Sequence, residues 1–288
     1  MTTLVGINPR SRDGEQDLDA ILAPLQAAGR VELVRLETDE SLQRAVEAID
    51  GRLTRIVLGG GDGTIHYALE TILDAAVPLG IVPLGTANDF ARSLELPLEP
   101  VEAATTIANG RTKQVDLGKV NDEYFLNAIG LGVGPKLNRS LDNELKKNLG
   151  IFAYMKTFFE VYRSSTSQQL SLHSDHGEQQ LRCLQLTVGN GKHYGGGMRI
   201  SSKATLTDGQ LTVLCIKPRG FMNLVRHAFL LRFGPDPEDP QPDFLEVFTT
   251  RCLTVKTSRP VKVTADGEQA TQTPIECAIL PGRLEVHY

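Results

Sequence analysis

Leu58-Gly59-Gly60-Gly61-Asp62-Gly63-Thr64 is the stretch on which the reading of this chain turns. It follows the apolar run Arg55-Ile56-Val57-Leu58, which reads as a strand, and it opens a helix over Thr64–Leu73. Consecutive glycines let a backbone approach a ligand closely and expose several N–H groups. The helix that follows adds its positive N-terminal end, so the junction is suited to phosphates. No Gly-Lys-Ser/Thr closes the loop, which excludes a P-loop, and the glycine spacing does not match the dinucleotide fingerprint GxGxxG. A carboxylate among phosphates needs a cation between them, so Asp62 is a candidate Mg²⁺ partner. The alternative is a tight turn in which Asp62 caps its own helix.

Working outward, the strand Leu79–Pro83 leads into Pro83-Leu84-Gly85-Thr86-Ala87-Asn88-Asp89-Phe90-Ala91-Arg92. In an open parallel sheet, ligands gather beyond the carboxyl ends of the strands, and this cluster lies at the same end as the glycine loop. Thr86 can donate to a phosphate, and Asn88 and Asp89 bring amide and carboxylate groups; an Asx-capped helix start is the plainer reading.

The surrounding segments alternate. Leu4–Asn8 and Val31–Leu36 read as strands, and residues 15–28 and Thr38–Ile49 as helices closed by Gly29 and Gly51. Strands alternating with helices of this length predict a parallel sheet covered on both faces. Past residue 119 the texture becomes strand-like: Tyr124–Ile129, Gln168–Leu172, Cys183–Val188, Leu211–Ile216, Phe248–Val255, Val261–Ala265 and Ile275–Leu280. Asp208-Gly209 and Asp266-Gly267 punctuate these runs as turn pairs. Helical patterns interrupt at Leu149–Tyr162 and Phe221–Arg232, and the four prolines in Gly234–Asp243 mark a loop. The expected fold is α/β: an N-terminal parallel-sheet domain over 1–126, to which 275–288 can return, and a C-terminal antiparallel β-sandwich over 127–274.

Composition narrows the function classes. The chain has 288 residues, with 30 Lys and Arg against 35 Asp and Glu, a net charge of −5. A nucleic-acid binder usually carries a basic excess, so none is expected as a partner. Apolar runs fall short of the roughly 18–20 residues of a membrane span, and the N-terminus does not read as a secretory signal. Cys183, Cys215, Cys252 and Cys277 form no CxxC pair and read as buried free thiols of a reducing cytoplasm. The segment 136–163 carries Lys136, Arg139, Lys146, Lys147, Lys156 and Arg163 beside the aromatic run of Leu149–Tyr162. Such a helix can rest on anionic lipid heads, which would place the protein transiently at the inner membrane face; a core helix with a solvated polar face is the alternative.

At the two glycine clusters the sequence resembles the diacylglycerol kinase catalytic family, which includes sphingosine and ceramide kinases, and in particular its bacterial YegS-like lipid kinases. GGGDGT followed by PLGTANDFAR carries the likeness, with Ile7-Asn8-Pro9, Gly189-Asn190-Gly191, Tyr194-Gly195-Gly196-Gly197-Met198, the run Ser202–Leu211 and Asp266-Gly267-Glu268 extending it. The resemblance implies transfer of the ATP γ-phosphoryl group to a lipid hydroxyl, with Mg²⁺ as cofactor and the active site in the cleft between the α/β domain and the β-rich domain. On it, Asn8, Thr38, Gly60, Gly61, Asp62, Gly63, Thr64, Ile65, Thr86, Asn88 and Asp89 are cofactor-binding. Asp62 organises Mg-ATP, and Asp266 or Glu268 is the general base. A structural site uses the Asp208 carboxylate with the carbonyls of Thr205 and Gln210, for Mg²⁺ or alternatively Ca²⁺.

The chain departs from the family pattern at several places. His66 and Tyr67 stand where the family usually has Asn-Glu, Arg10-Ser11 replaces Ser-Gly, Ser202 replaces a proline, and Gly130–Pro135 lacks the aspartate of G-x-G-F-D-A. Two other readings follow from the same residues. One is an NAD kinase, which shares GGDGT; the other is a nucleotide- or lipid-binding homologue that has lost activity.

Overall fold

The computed structural model describes residues 2–11, 18–38, 40–49, 51–132, 167–218 and 243–288. The helical patterns at 149–162 and 221–232, the basic segment 136–163 and nearly all of the proline-rich loop lie outside them.

The first part runs β1 (Thr2–Ile7), α1 (Leu18–Ala28), β2 (Arg30–Arg35), α2 (Glu40–Ala48), β3 (Leu53–Gly60), α3 (Asp62–Ala75), β4 (Leu79–Pro83), α4 (Asp89–Ser93) and α5 (Pro100–Ala108). β2, β1, β3 and β4 lie side by side and parallel. Successive side chains of a strand point to opposite faces, and here both faces are apolar. Leu4, Ile56, Leu58 and Ile81 meet Leu42 of α2 and Ile65, Leu69 and Ile72 of α3. Val5, Ile7, Val57 and Val82 meet Ile21 and Leu25 of α1 and Ile107 of α5 on the other face. The spacing Ile65, Ala68, Leu69, Ile72 is one face of α3, and its burial sets where the first turn of that helix points.

The second part contributes β5 (Thr112–Val120), β6 (Glu123–Phe125), β7 (Ala128–Gly132), β8 (Gln168–Ser174), β9 (Gly177–Cys183), β10 (Gln185–Gly189), β11 (His193–Tyr194), β12 (Met198–Arg199), β13 (Leu211–Ile216), β14 (Leu245–Thr250), β15 (Cys252–Thr257), β16 (Lys262–Ala265), β17 (Glu268–Gln272) and β18 (Ile275–His287). β18, β15, β8 and β9 extend the first sheet, β18 pairing antiparallel with β5 and meeting β4 at the parallel pair Val286–Leu79. A six-stranded antiparallel sheet, β14-β13-β10-β7-β16-β17, faces them. Leu170, Leu172, Leu253, Val255 and Ile275 of one layer close on Leu131, Val188, Val213 and Val263 of the other. The fold is therefore α/β with a parallel sheet followed by an antiparallel β-sandwich.

Several boundaries differ from the sequence reading. Tyr124–Ile129 is not one strand: it breaks at Leu126-Asn127, whose N–H groups donate to the Asp266 carboxylate instead of to a neighbouring strand. Phe248–Val255 likewise divides at Arg251, sending β14 and β15 into different sheets. β9 went unread because Gly177-Glu178-Gln179-Gln180 carries no apolar alternation; it is an edge strand. β18 runs past Leu280 to His287 through a register shift around Gly282, whose φ of 60° and whose N–H bond to Asp116 accommodate the irregularity. Helix α3 begins at Asp62, two residues before the expected Thr64, and α2 begins at Glu40. The cysteines are free, but Cys252 is exposed, in contrast to the expected burial of all four. Burial lifts the Cys277 thiol to about 12, which keeps it protonated.

Candidate active site

Strand β3 delivers Gly59 and Gly60 to the N-terminus of α3. A Cβ on Gly60 would come within 2.4 Å of the Thr64 hydroxyl, so only glycine lets the loop curl this tightly over its helix. Gly61 and Gly85 bring the two loops together: a Cβ on Gly85 would meet the Gly61 Cα at 2.5 Å. Helix α3 has no side-chain cap, and among the described residues the N–H groups of Gly61, Asp62 and Gly63 donate to no acceptor. Three free amides at the end of a fourteen-residue helix have the chemistry to receive an anion.

The other residues expected to hold the nucleotide take different parts. Thr64 accepts a hydrogen bond from Asn8 Nδ2 at 2.8 Å, so Asn8 pins the loop. Asn8, Arg10, Thr38, Leu42, Thr64 and Tyr67 line one cavity of about 170 Å³ beside α3. Ile65 does not fit the expected role: its side chain is in the core and its N–H bonds to the Gly61 carbonyl. Asn88 is also corrected, because its amide accepts from Gly85 N and donates to Gly85 O, both at 3.0 Å, and is thereby used in building the loop. Its φ of 52° lies in the left-handed region that asparagine tolerates. Thr86 is exposed in this loop.

Three aspartates form the polar spine of the site. Asp62 does not cap its own helix. Its carboxylate instead accepts from the N–H groups of Asp89, at 3.0 Å, and Phe90, at 2.9 Å, fixing the start of α4, and from Asn127 Nδ2 at 3.1 Å. Asp89 was expected to face a ligand, but it is 3% exposed and accepts from Gly196 N and Gly197 N at 2.8 and 2.7 Å. Burial raises its pKa and the nearby Asp62 charge adds to that, while the Gly196 and Gly197 amides and Arg92 oppose it. Asp266 accepts from Leu126 N and Asn127 N at 2.8 Å and from Ala128 N at 3.1 Å, and it meets His66 Nδ1 at 3.1 Å. Its side chain is 0% exposed.

Asn127 joins these pieces, and the sequence reading did not find it. Its backbone N–H serves Asp266 and its side-chain amide serves Asp62, so it links the glycine loop to the Asp266-Gly267-Glu268 hairpin. Its Oδ1 is buried and has no partner among the described residues. An orphaned amide oxygen beside a carboxylate is a donor set for a hard, hydrated cation, which fits Mg²⁺. The only signal in the sequence was a polar residue inside an apolar run.

Asp266 was one of two candidates for the base, and its geometry counts against it. A carboxylate with no exposed side-chain surface has no open face for a substrate hydroxyl. Glu268, two residues on, is exposed and lines a second cavity, of about 450 Å³, together with His66, Tyr67, Glu70, Glu123 and Tyr124. Tyr67, 57% exposed, lines both cavities.

The expected structural metal set lies apart from this network. Asp208 accepts from Thr205 N at 2.8 Å and Gln210 N at 2.9 Å, so the turn closes on its own hydrogen bonds. Asp116, also missed from sequence, holds the turn from below by accepting from Gly209 N at 2.8 Å. Among the described residues no group of three or more His, Cys, Asp or Glu is placed to hold a metal ion.

Comparison with known proteins agrees along the whole length. The family model of the diacylglycerol kinase catalytic domain matches residues 2–120, and that of the YegS C-terminal NAD kinase beta sandwich-like domain matches residues 127–288. A Pseudomonas aeruginosa PAO1 protein named "Probable lipid kinase YegS-like" is 31% identical over 279 residues, covering 95% of this chain and 90% of its own. A protein of the same name from Chromohalobacter salexigens is 31% identical over 256 residues, covering 87% and 81%. A Bacillus anthracis str. Sterne crystal structure of a diacylglycerol kinase superposes with a TM-score of 0.75 at 22% identity, covering 100% of this chain and 96% of that one. The chain belongs to the diacylglycerol kinase catalytic family, as one of its YegS-like lipid kinases.

Proposed function

We propose that this kinase transfers the γ-phosphoryl group of ATP to the hydroxyl of a membrane lipid in a Mg²⁺-dependent reaction. The observation that carries the reading is the chain of contacts Asp62–Asn127–Asp266, which couples a phosphate-type helix end to the hairpin that bears Glu268. Phosphoryl transfer asks a protein mainly for positioning and charge neutralisation, and this arrangement supplies both.

The free amides of Gly61, Asp62 and Gly63 hold the phosphates at the positive end of α3. The side chains of Asn8 and Thr64 keep that loop closed, and the cavity lined by Thr38 and Tyr67 takes the nucleoside side. Asp62 and the Asn127 amide oxygen would hold Mg²⁺, which would supply neutralisation of the phosphate charge. Glu268 receives the proton of the acceptor hydroxyl as its oxygen attacks the γ-phosphorus and ADP departs; general-base help of this kind is worth roughly 10²–10⁴ in rate. Asp89 draws the Gly196-Gly197 segment onto the loop and so encloses the site. A further Mg²⁺ or Ca²⁺ at Asp208, with the carbonyls of Thr205 and Gln210, belongs to the same proposal as a structural site. So does transient contact with an anionic membrane face; no helix among the described residues is long and apolar enough to cross one.

The test is incubation of the purified chain with labelled ATP, Mg²⁺ and mixed vesicles containing diacylglycerol, phosphatidylglycerol and long-chain bases. Label in the organic phase supports the reading and names the lipid. Label on added NAD supports an NAD kinase instead, and ATP binding without any transfer supports a binding protein.

A further inference from the structure

The turn that carries Glu268 is held from two sides. Asp266 and Gly267 have φ values of 49° and 98°, making a two-residue hairpin turn between β16 and β17. From the side of its own sheet, the N–H groups of Leu126, Asn127 and Ala128 grip the Asp266 carboxylate. From the other side comes His66, in the first turns of α3, whose Nδ1 lies 3.1 Å from Asp266 Oδ2 across 200 residues of sequence. His66 is 14% exposed at its side chain and walls the same cavity as Glu268. Among the described residues its Nε2 makes no hydrogen bond, so Asp266 is the ring's hydrogen-bond partner, and the ring also meets the Tyr67 ring edge-on at 5.8 Å between centroids.

We infer that His66 is a positioning residue for phosphoryl transfer: by clasping Asp266 it sets Glu268 against the phosphate-holding end of α3. The inference rests on the lipid kinase reading above, with Glu268 as the acceptor-side base. Its physical ground is that the three amides tie the turn only to neighbouring strands. The imidazole ties it to the helix whose N-terminus would hold the γ-phosphoryl group. A base misplaced by about 1 Å costs on the order of a hundredfold in rate.

The surroundings make the clasp charge-sensitive. Asp266 faces the ring from the hairpin turn, Glu123 from β6 and Glu268 from β17, while Glu70 of α3 lines the same cavity. The Asp266 hydrogen bond raises the His66 pKa above its ordinary 6.5, against the effect of burial, and the charges of Asp266, Glu123 and Glu268 add to it. Below that raised value the clasp is an ion pair, and above it a neutral hydrogen bond. An asparagine amide at this position can donate to Asp266 without a proton to lose, so His66→Asn separates the contact from its titration.

The experiment measures kcat and KM for ATP and lipid, across neutral and mildly alkaline pH, for the unaltered chain, His66→Ala and His66→Asn. The expected result is a kcat lowered about tenfold to a hundredfold in His66→Ala with the KM for ATP unchanged. His66→Asn should recover most of that loss and abolish the alkaline decline of kcat expected of the unaltered chain. Equal loss in both variants, no loss in His66→Ala, or an alkaline decline that persists in His66→Asn would overturn the inference. Thermal melting of each variant separates misfolding from misplacement, and a folded His66→Asn keeps the test open if His66→Ala does not fold. Absence of transfer by the unaltered chain overturns the parent reading, whereas transfer untouched by both substitutions overturns only the role of His66.

Discussion

Asp208-Gly209 and Asp266-Gly267 are the same dipeptide in the same half of the chain, and the structure uses them in opposite ways. Asp208 is exposed and turns its carboxylate onto amides two and three residues away. Asp266 is sealed and reaches amides 138 to 140 residues away and an imidazole 200 away. The first closes a loop; the second joins α3 to the crossover between sheets. A carboxylate that accepts local amides replaces water with similar partners and gains little. One that is buried leaves several donors unpaired when it is removed, so its loss costs far more.

This contrast can be broken by measurement. The largest expected effect is that of Asp266→Ala, which strands three buried N–H groups and the His66 ring: about 3–5 kcal/mol in a denaturant melt. A loss no greater than that of an ordinary surface turn would dissolve the distinction. Asp62→Ala comes next. It removes the anchor of α4 and of Asn127, and is expected to lower transfer by about a hundredfold or more while costing about 1–2 kcal/mol in stability, like a lost cap. Near-normal turnover in that variant would detach Asp62 from the phosphate site. Asp208→Ala should cost about 1 kcal/mol, as for loss of a local side-chain cap. If Mg²⁺ raises the melting temperature of the unaltered chain but not of Asp208→Ala, the local turn is also a cation site.

The smallest effect is pH-dependent. The folded-state pKa of His66 is raised, so its contribution to stability is fully present below about 6.5, the unfolded value, and is lost as pH rises through the folded value. The difference in melting temperature between the unaltered chain and His66→Asn should therefore shrink as the solution becomes alkaline. A difference that grows with pH would show that the imidazole is not held as a cation.

Legibility followed the range of the interactions. The parallel sheet was readable because Leu4, Val5, Ile56, Val57, Ile81 and Val82 sit in apolar runs between helices of regular spacing, and both signals are local. The glycine loop was readable for the same reason, since a strand ending in Gly59-Gly60-Gly61 before a helix permits few conformations. Strand β9 was not, because Glu178, Gln179 and Gln180 give no alternation at an edge. The break at Leu126-Asn127 was not, because its cause is the carboxylate of Asp266. Among the candidate site residues, Asn88, Asp89 and Ile65 were read as ligand contacts, whereas the fold engages their side chains with Gly85, with Gly196-Gly197 and with the core.

The amino-acid order by itself determined the alternating first half, the sandwich-forming second half, the glycine-lined helix end and the family motifs, because periodicity and turn chemistry act within a few residues. Only the tertiary structure decided which acids are free and which are engaged. Whether a carboxylate meets solvent or buried amides depends on segments more than a hundred residues away, and Asp266 and Glu268, neighbours in the chain, end on opposite sides of that divide.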